Sequence, residues 1–403
     1  MGQKKLQWLK MAGVACLLLA GTALGAPAQT FRNLANFSGS DGANPEYGSL
    51  VQDKDGNFYG TTEAGGANSD GTVFRVNREG TLMALYSFCA QTGCTDGAEP
   101  YAGLVLGADG KFYGTTYVGG AHGEGTVFKI TCEGRLTTLY SFCSQTDCTD
   151  GAEPFAGLVP GADGNFYGTT HGGGAYGYPP GFGTVFKMTR EGTLTTLHSF
   201  DHTDGATPYA GLVLGPDGRL YGTTASGGAY GYGTVFKITR EGTLTTLHSF
   251  AGPLGEGANP YAPLIDAKDG KFYGTTYNGG AGNFGTVFEI TREGTLTTLH
   301  SFEGTPDGAH PYAGLVLGAD GNFYGTTVYD GANEYGTVFK ITRGGTLTTL
   351  HSFDYTDGAS PRAGLVLGAD GKLYGTTQAG GATGYDDGTV FSLTVGRDEW
   401  GDE

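Results

Sequence analysis

The chain has 403 residues, including 77 Gly, 24 Tyr and 23 Phe, and its formal net charge of −17 gives a pI near 4.8. This acidity argues against binding to nucleic acid or to an anionic membrane surface, because both need clustered Lys and Arg. The many aromatic residues argue against a disordered chain, so the glycines are expected to punctuate a folded structure.

The first segment predicts an export signal. Lys4, Lys5 and Lys10 precede an apolar stretch over residues 11–24 and a small-residue cleavage site that ends at Ala28, which is the layout of a secretory signal peptide. The stretch is about 14 residues long, shorter than the roughly 20 that cross a bilayer. The sequence therefore predicts a signal peptide at 1–28, no membrane span, and a secreted or periplasmic monomer. A lipid anchor at Cys16 is disfavoured because the apolar stretch continues on both sides of this cysteine.

Two landmarks divide the remaining chain into seven units of about 50 residues, the size of a repeat module. Tyr-Gly-Thr-Thr begins at Tyr59, Tyr113, Tyr167, Tyr221, Tyr273, Tyr324 and Tyr374. Gly-Thr-Val-Phe ends at Phe74, Phe128, Phe186, Phe236, Phe288, Phe339 and Phe391. Each unit reads as four short antiparallel strands, with Asp-Gly between the first two and, in most units, Glu-Gly between the last two. Four strands per repeat match one β-propeller blade.

The two ends of the chain indicate a closed ring rather than an open solenoid, the alternative architecture. The seventh unit lacks a fourth strand, and residues 31–37 align with that strand in the other units. We therefore predict an all-β, seven-bladed β-propeller whose last blade is closed by the N-terminal strand. It forms one domain over residues 29–396, followed by an acidic C-terminal tail at 397–403.

The repeat resembles a known family. Asp-Gly-Asn-Phe-Tyr-Gly-Thr-Thr followed by Gly-Gly-Ala and Gly-Thr-Val-Phe-Lys-Ile is similar to the GloVer tandem repeat of exported bacterial proteins described as choice-of-anchor. The resemblance covers essentially the whole chain after the signal peptide and implies no established reaction. The tail departs from the family pattern because it has no apolar anchor, which favours a released or periplasmic protein.

Strand order places the linkers between blades and the loops between second and third strands on one face, the loop-rich face, which is the candidate binding surface. Its expected floor is an acidic series: Asp41, Asp96, Asp150, Asp204, Glu256, Asp307 and Asp357. One interpretation is a ring of carboxylates for a cation or a cationic ligand. The favoured interpretation is that each acid accepts hydrogen bonds from the backbone of its own turn.

An aromatic series follows the linkers at Tyr47, Tyr101, Phe155, Tyr209, Tyr261 and Tyr312, until the seventh unit substitutes Arg362. These rings either stack on sugar rings or pack between blades, and packing is favoured. Arg362 breaks the symmetry of the repeat. It is expected either to orient a ligand carboxylate or to pair with a neighbouring acid.

The residue after each Thr-Thr varies most: Glu63, Tyr117, His171, Ala225, Tyr277, Val328 and Gln378. We predict a ligand site formed by Arg362, Glu63, Tyr277, Gln378, His122 and His202. His171 and Tyr117 are weaker candidates for a catalytic acid/base pair. The histidines that recur in the outer strand at His198, His248, His300 and His351 are expected to be structural.

The cysteines predict two small disulfide loops. Cys89 with Cys94 and Cys143 with Cys148 flank insertions in two linkers, and such pairs form in an oxidising compartment. Cys132 replaces an Arg of the repeat and is expected to be a free or intermolecular thiol.

The sequence favours an exported binding or interaction protein with an unknown glycan, peptide or protein ligand. It contains no motif for a cofactor, a metal site or a catalytic triad. A polysaccharide lyase or glycoside hydrolase on the same face and a structural component of the cell envelope are the alternatives.

Overall fold

The computed structural model describes residues 29–177, 181–382, 384 and 386–395. Within these ranges the protein is all-β, with seven four-stranded antiparallel sheets arranged as the blades of a ring and two short 3-10 turns at Thr92–Cys94 and Thr146–Cys148. The described chain contains no helix with the length and apolar character needed to cross a membrane. The predicted signal peptide at 1–28 and the tail at 397–403 lie outside the described residues.

The strands follow the chain blade by blade, with the N-terminal strand β1 (Thr30–Asn36) coming first. Blade 1 contains β2 (Val51–Gln52), β3 (Phe58–Thr62), β4 (Thr72–Val76) and β5 (Leu82–Ser87). Blade 2 contains β6 (Val105–Leu106), β7 (Phe112–Thr116), β8 (Thr126–Ile130) and β9 (Leu136–Ser141). Blade 3 contains β10 (Val159–Pro160), β11 (Phe166–Thr170), β12 (Thr184–Met188) and β13 (Leu194–Ser199). Blade 4 contains β14 (Val213–Leu214), β15 (Leu220–Thr224), β16 (Thr234–Ile238) and β17 (Leu244–Ser249). Blade 5 contains β18 (Ile265–Asp266), β19 (Lys271–Thr276), β20 (Thr286–Thr291) and β21 (Leu296–Ser301). Blade 6 contains β22 (Val316–Leu317), β23 (Phe323–Thr327), β24 (Thr337–Ile341) and β25 (Leu347–Ser352). Blade 7 contains β26 (Val366–Leu367), β27 (Leu373–Thr377) and β28 (Thr389–Thr394), and its outer strand is β1.

The ring closes as the sequence predicts, because β1 pairs antiparallel with β28. The pairing runs from Thr30 opposite Thr394 to Asn36 opposite Thr389. A register shift between Asn33 and Ala35 corresponds to the irregularity that the outer strands of the other blades show. The two ends of the chain therefore share one sheet, and blade 7 has no unpaired edge where a fourth strand is missing.

The Tyr-Gly-Thr-Thr landmark is explained by packing and hydrogen bonds. A Cβ added at Gly222 would lie 2.6 Å from Cζ of Phe236, so only glycine lets the ring of the third strand lie flat on the second strand. The hydroxyl of Thr115 donates to the carbonyl of Ala156 in the next blade at 3.0 Å, and the hydroxyl of Thr116 lies 2.9 Å from that of Thr126. The equivalent threonine makes this bond to the next blade in six of the seven blades, and in the described chain only the buried hydroxyl of Thr326 in blade 6 lacks it.

The apolar core lies between the blades. One cluster contains Tyr59, Val73 and Phe88 from blade 1 together with Phe112 and Phe128 from blade 2, all essentially inaccessible to solvent. Equivalent clusters fill the other junctions, including the junction between blades 7 and 1. The clusters between blades thus form a continuous apolar ring, and most residues on the two faces of the propeller do not contribute to this core.

Candidate functional site

Two sets of residues surround the centre of the loop-rich face. The mouth set comprises the residues after Thr-Thr: Glu63, Tyr117, His171, Ala225, Tyr277, Val328 and Gln378. The linker set comprises the residues before the linker prolines: Asn44, Glu99, Glu153, Thr207, Asn259, His310 and Ser360. The backbone N–H of each mouth residue donates to the carbonyl of its linker partner, as Tyr117 does to Glu99 at 3.0 Å. All seven linker residues adopt positive φ angles between 50° and 56°, which orients their side chains in the same way relative to the ring.

The aromatic series forms one cluster at the axis of the ring. Tyr47 reaches furthest, because its ring centroid lies 4.8 Å from that of Phe155 and 4.7 Å from that of Tyr312, two rings that belong to different parts of the circle. Tyr261 stacks on Tyr312 at 4.8 Å with the planes 7° apart. Burial is the main cause of a strongly raised pKa at Tyr312. The rings therefore pack against one another between blades and fill the centre of the face.

A cavity of about 370 Å³ lies along the axis next to this cluster. It is lined by the innermost strands, five rings of the aromatic cluster and Arg362. Most of the wall is aliphatic or glycine, and Ser49 and Pro263 occupy positions where other blades have glycine. The aromatic rings occupy the opening of this cavity on the loop-rich face. A ligand on that face would therefore contact the surrounding mouth and linker sets.

Arg362 lies beside an acid, in agreement with one of the two interpretations of its position. Its Nη1 is 3.0 Å from the hydroxyl of Tyr47 and 3.4 Å from Oε1 of Glu46. The amide of Gln378 also donates to the Glu46 carboxylate. Glu46 is only 8% exposed, and burial, followed by the charge of Glu63, raises its pKa to about 7, although Arg362 acts in the opposite direction.

Sequence reasoning missed Glu46, although a signal was present. Five positions separate Pro45 from Leu50, whereas four separate Pro100 from Leu104 and the matching pairs in later units. Glu46 is thus a one-residue insertion, and it places a carboxylate where the repeat has none. Together with Arg362 it concentrates the departure from symmetry at the junction of blades 7 and 1.

The structure brings His171 and Tyr117 together through Glu153, a linker residue that the sequence did not single out. Nδ1 of His171 lies 3.3 Å from Oε2 of Glu153, and the Tyr117 phenol interacts electrostatically with the same carboxylate. The hydrogen bond from His171 is the main cause of a lowered pKa at Glu153. Burial and then the charge of Glu153 raise the pKa of Tyr117, which keeps its phenol protonated at neutral pH. The arrangement offers a carboxylate flanked by a phenol and an imidazole.

The other predicted ligand residues divide into two groups. Glu63 accepts a hydrogen bond from Tyr101 at 3.1 Å, and the ring of Tyr277 lies 5.3 Å from that of Tyr261, so both border the aromatic cluster. His122 and His202 are exposed in a loop and a linker. Among the described contacts, the ring of His202 lies near Phe182, and neither histidine is joined to the aromatic cluster.

The acidic series does not form the expected floor, because its members lie beside the outer strands. The outer-strand histidines bind them at 2.7–2.8 Å: His198 to Asp204, His248 to Glu256, His300 to Asp307 and His351 to Asp357. Tyr86 and Tyr140 occupy the same position and donate to Asp96 and Asp150 at 2.7 Å. Each acid also accepts a backbone N–H from its own linker, as Asp96 does from Ala90 at 2.9 Å. These carboxylates hold the linkers in place.

The four linker cysteines lie at disulfide-bonding distance in the predicted pairs. The Cα atoms of Cys89 and Cys94 are 4.0 Å apart, as are those of Cys143 and Cys148. Cys132 is exposed, is not paired within the described chain, and contacts the carboxylate of Glu133 at 3.0 Å. The hydrogen bond to Glu133 is the main cause of a raised pKa at this thiol. Disulfides of this kind are typical of proteins outside the cytoplasm.

The closed ring and the symmetry breaks on one face define a β-propeller repeat protein. The chain belongs to the family described as the Gloeobacter/Verrucomicrobia repeat, whose model matches residues 21–178, 145–316 and 211–400. The resemblance predicted from the sequence is therefore confirmed. No curated protein matches the chain in sequence.

Solved structures share the architecture at low sequence identity. A putative 6-phosphogluconolactonase from Bacteroides fragilis is 19% identical, with a TM-score of 0.51 over 81% of this chain and 89% of that one. A second putative 6-phosphogluconolactonase, from Bacteroides uniformis, is 18% identical, with a TM-score of 0.50 over 77% of this chain and 85% of that one. PorZ, a bacterial surface component of the type-IX secretion system of Porphyromonas gingivalis, is 15% identical, with a TM-score of 0.52 over 87% of this chain and 46% of that one. At these identities the likeness concerns the fold alone.

Proposed function

We propose that this protein is an exported binding propeller that recognises a glycan, peptide or protein ligand with its loop-rich face. One observation carries the proposal: the seven blades repeat the same core residues, but the mouth and linker sets around the axis differ from blade to blade. A ring that only had to fold would need no such variation. Side chains that vary on a fixed scaffold are the usual means by which a repeat protein acquires a ligand.

The ligand test compares two pairs of substitutions. Tyr117→Ala with Tyr277→Ala removes two half-buried rings at the mouth, whereas Met83→Ala with Thr137→Ala changes two outer-strand residues away from it. Using ligands found on a glycan array and a peptide array, we expect the mouth variant to lose affinity by about tenfold or more, because truncated aromatic residues carry much of the binding energy in interfaces. The outer-strand variant should bind within about twofold of the parent protein. Equal losses in both variants would contradict a site on the loop-rich face.

A second candidate function, cleavage of a polysaccharide, is favoured by the contact of Glu153 with both Tyr117 and His171. It requires that new reducing ends or unsaturated products form when the protein is incubated with polysaccharides, and that His171→Ala abolishes them. Binding without products supports the binding propeller. If neither binding nor products were detected, a structural component of the cell envelope would be the remaining interpretation.

We also propose that the protein is exported and cleaved after Ala28. The basic start, the apolar stretch and the small-residue site support this, and so do the two cysteine pairs at disulfide distance. Mass spectrometry of the protein recovered outside the cytoplasm should show an N-terminus at Gln29 and four oxidised cysteines. Recovery of the intact N-terminus in the cytoplasm with reduced cysteines would refute export.

A further inference from the structure

The charge of the protein is concentrated on the loop-rich face. The linkers and the loops between second and third strands together contain 21 Asp and Glu residues, and their only Lys or Arg residue is Arg362. The rest of residues 29–396 contains 15 Asp and Glu residues and 18 Lys and Arg residues. One face thus carries all of the net negative charge, while the strands and opposite turns together have a small positive charge.

Acids of three consecutive blades form an arc on this face, and the other blades have aromatic residues at the same position. Directly before the Gly-Thr-Val-Phe landmark, blades 7, 1 and 2 have Asp387, Asp70 and Glu124. Blades 3 to 6 have Phe182, Tyr232, Phe284 and Tyr335 at that position. The backbone N–H groups of Glu99 and Glu153 bind the carbonyls of Asp70 and Glu124 at 2.9 Å, so the linker set extends the arc.

The charges of this arc repel one another. The pKa of Glu99 is raised by burial and then by the charges of Glu63 and Asp70, and the pKa of Glu124 is raised by burial and then by Glu153. Arg362 is 23% exposed at its side chain and already binds Glu46. A positively charged ligand would therefore be attracted to the arc, because the loop-rich face has few basic side chains to neutralise these carboxylates.

The same face carries exposed apolar side chains. Of the eight large apolar residues exposed in the described chain, seven lie in its loops and linkers: Tyr176, Tyr230, Tyr232, Leu254, Tyr329, Tyr335 and Tyr355. They belong to the loops of blades 3, 4 and 6 and to the linkers after blades 4 and 6, and the rings of Tyr335 and Tyr355 lie 5.2 Å apart. Exposed tyrosines grouped on one face are a feature of protein interfaces, since their rings bury apolar area while the hydroxyl stays hydrated.

We infer that the partner of the loop-rich face is a protein surface or peptide that presents Lys and Arg side chains beside apolar residues. This inference rests on the proposed binding function and specifies its ligand. The basic side chains would face the acidic arc of blades 7, 1 and 2, and the apolar residues would contact the tyrosines on the other side of the ring. The aromatic cluster fills the centre of the face and, within the described chain, leaves no deep pocket open there. This favours a macromolecular partner that lies across the rim rather than a small molecule.

The test uses three defined probes: a peptide of repeated Lys-Tyr-Lys-Leu units, the same peptide with Glu in place of Lys, and hexameric glucosamine. Dissociation constants are measured at about 50 and about 200 mM NaCl, since salt screens contacts between exposed charges. The Lys peptide is expected to bind about 100-fold more tightly than the Glu peptide.

Matched variants locate the binding. Glu63→Gln, Glu99→Gln and Glu153→Gln together remove three charges from the arc, and Glu79→Gln, Glu241→Gln and Glu293→Gln remove three from the opposite turns. We expect the first set to weaken binding of the Lys peptide about tenfold and the second less than about twofold. Tyr232→Ser with Tyr335→Ser should weaken binding of the Lys peptide by a further factor of about five. Non-specific electrostatic attraction alone would not depend on these tyrosines.

Three outcomes would overturn the inference: equal binding of both peptides, equal effects of the two charge variants, or tight binding of hexameric glucosamine that is insensitive to the tyrosine substitutions. The last result would identify an amino-polysaccharide as the ligand. If a neutral glycan or an acidic peptide bound and lost affinity in the Tyr117→Ala and Tyr277→Ala variant, this inference would fail while the proposed binding function stood.

Discussion

A chain that begins at Ser38 is expected to lose the cooperative unfolding transition of a chain that begins at Gln29. The deletion removes β1, whose Phe31 stacks on His351 with ring centroids 3.8 Å apart, and the following Phe37, which is inaccessible to solvent. It also leaves β28 as an unpaired edge strand. Losing two large aromatic side chains and a complete β-ladder costs more than about 5 kcal/mol, which is comparable with the whole stability of a typical domain.

Circular dichroism and calorimetry measure this effect, and two point variants calibrate it. Phe37→Ala should destabilise the protein by about 3–5 kcal/mol, because it opens a cavity in the junction between blades 7 and 1. Met83→Ala, at a residue 47% exposed, should change stability by less than about 0.5 kcal/mol. A synthetic peptide of residues 29–38 added to the shortened chain should restore the transition. An unchanged melting temperature after the deletion would contradict closure of the ring by β1.

The features predictable from the sequence are those that the repeat displays seven times. The Tyr-Gly-Thr-Thr landmark, the Asp-Gly turns and the missing fourth strand of the last unit were sufficient for the blade count and the closure, because each has a single physical reading. The prediction for the aspartate series was partly wrong. The strand pattern places these residues on the correct face, but it does not show that His198 or Tyr86 draws them towards the outer strands.

The site residues that escaped prediction lack a constant counterpart in the other units. Glu46 is an insertion, and Glu153 occupies a variable position that carries Asn, Glu, Thr, His or Ser, so no internal comparison points to their contacts. The partner of Glu46 comes from a distant segment, since Arg362 is 316 residues away. Glu153 is 18 residues from His171, and its backbone adopts a positive φ angle of 55°. Such contacts depend on the closed ring and on backbone angles that a single sequence does not reveal.

The buried carboxylate of Glu46 is expected to make the protein less stable as the pH rises from 4.5 to about 7. Its pKa in the folded protein is about 7 instead of the ordinary 4.5, so the folded state holds the proton more tightly than the unfolded state does. Its contribution to stability is therefore favourable below pH 4.5 and is lost as the pH rises through 7. The difference in pKa corresponds to on the order of 3 kcal/mol, or about 5 °C in melting temperature for a domain of this size.

Two substitutions should move this pH dependence in opposite directions. Glu46→Gln resembles the protonated acid at every pH, so it should match the parent protein near pH 4.5 and exceed its melting temperature at pH 8. Arg362→Met removes the cation that lowers the pKa of Glu46, so it should be less stable than the parent at pH 8 and show a steeper loss. Glu79→Gln, at an exposed turn of the opposite face, serves as the control for removing a carboxylate. If Glu46→Gln were less stable than the parent at pH 8, the prediction would be wrong. The ion pair with Arg362 would then stabilise the folded protein by more than burial of the Glu46 charge destabilises it.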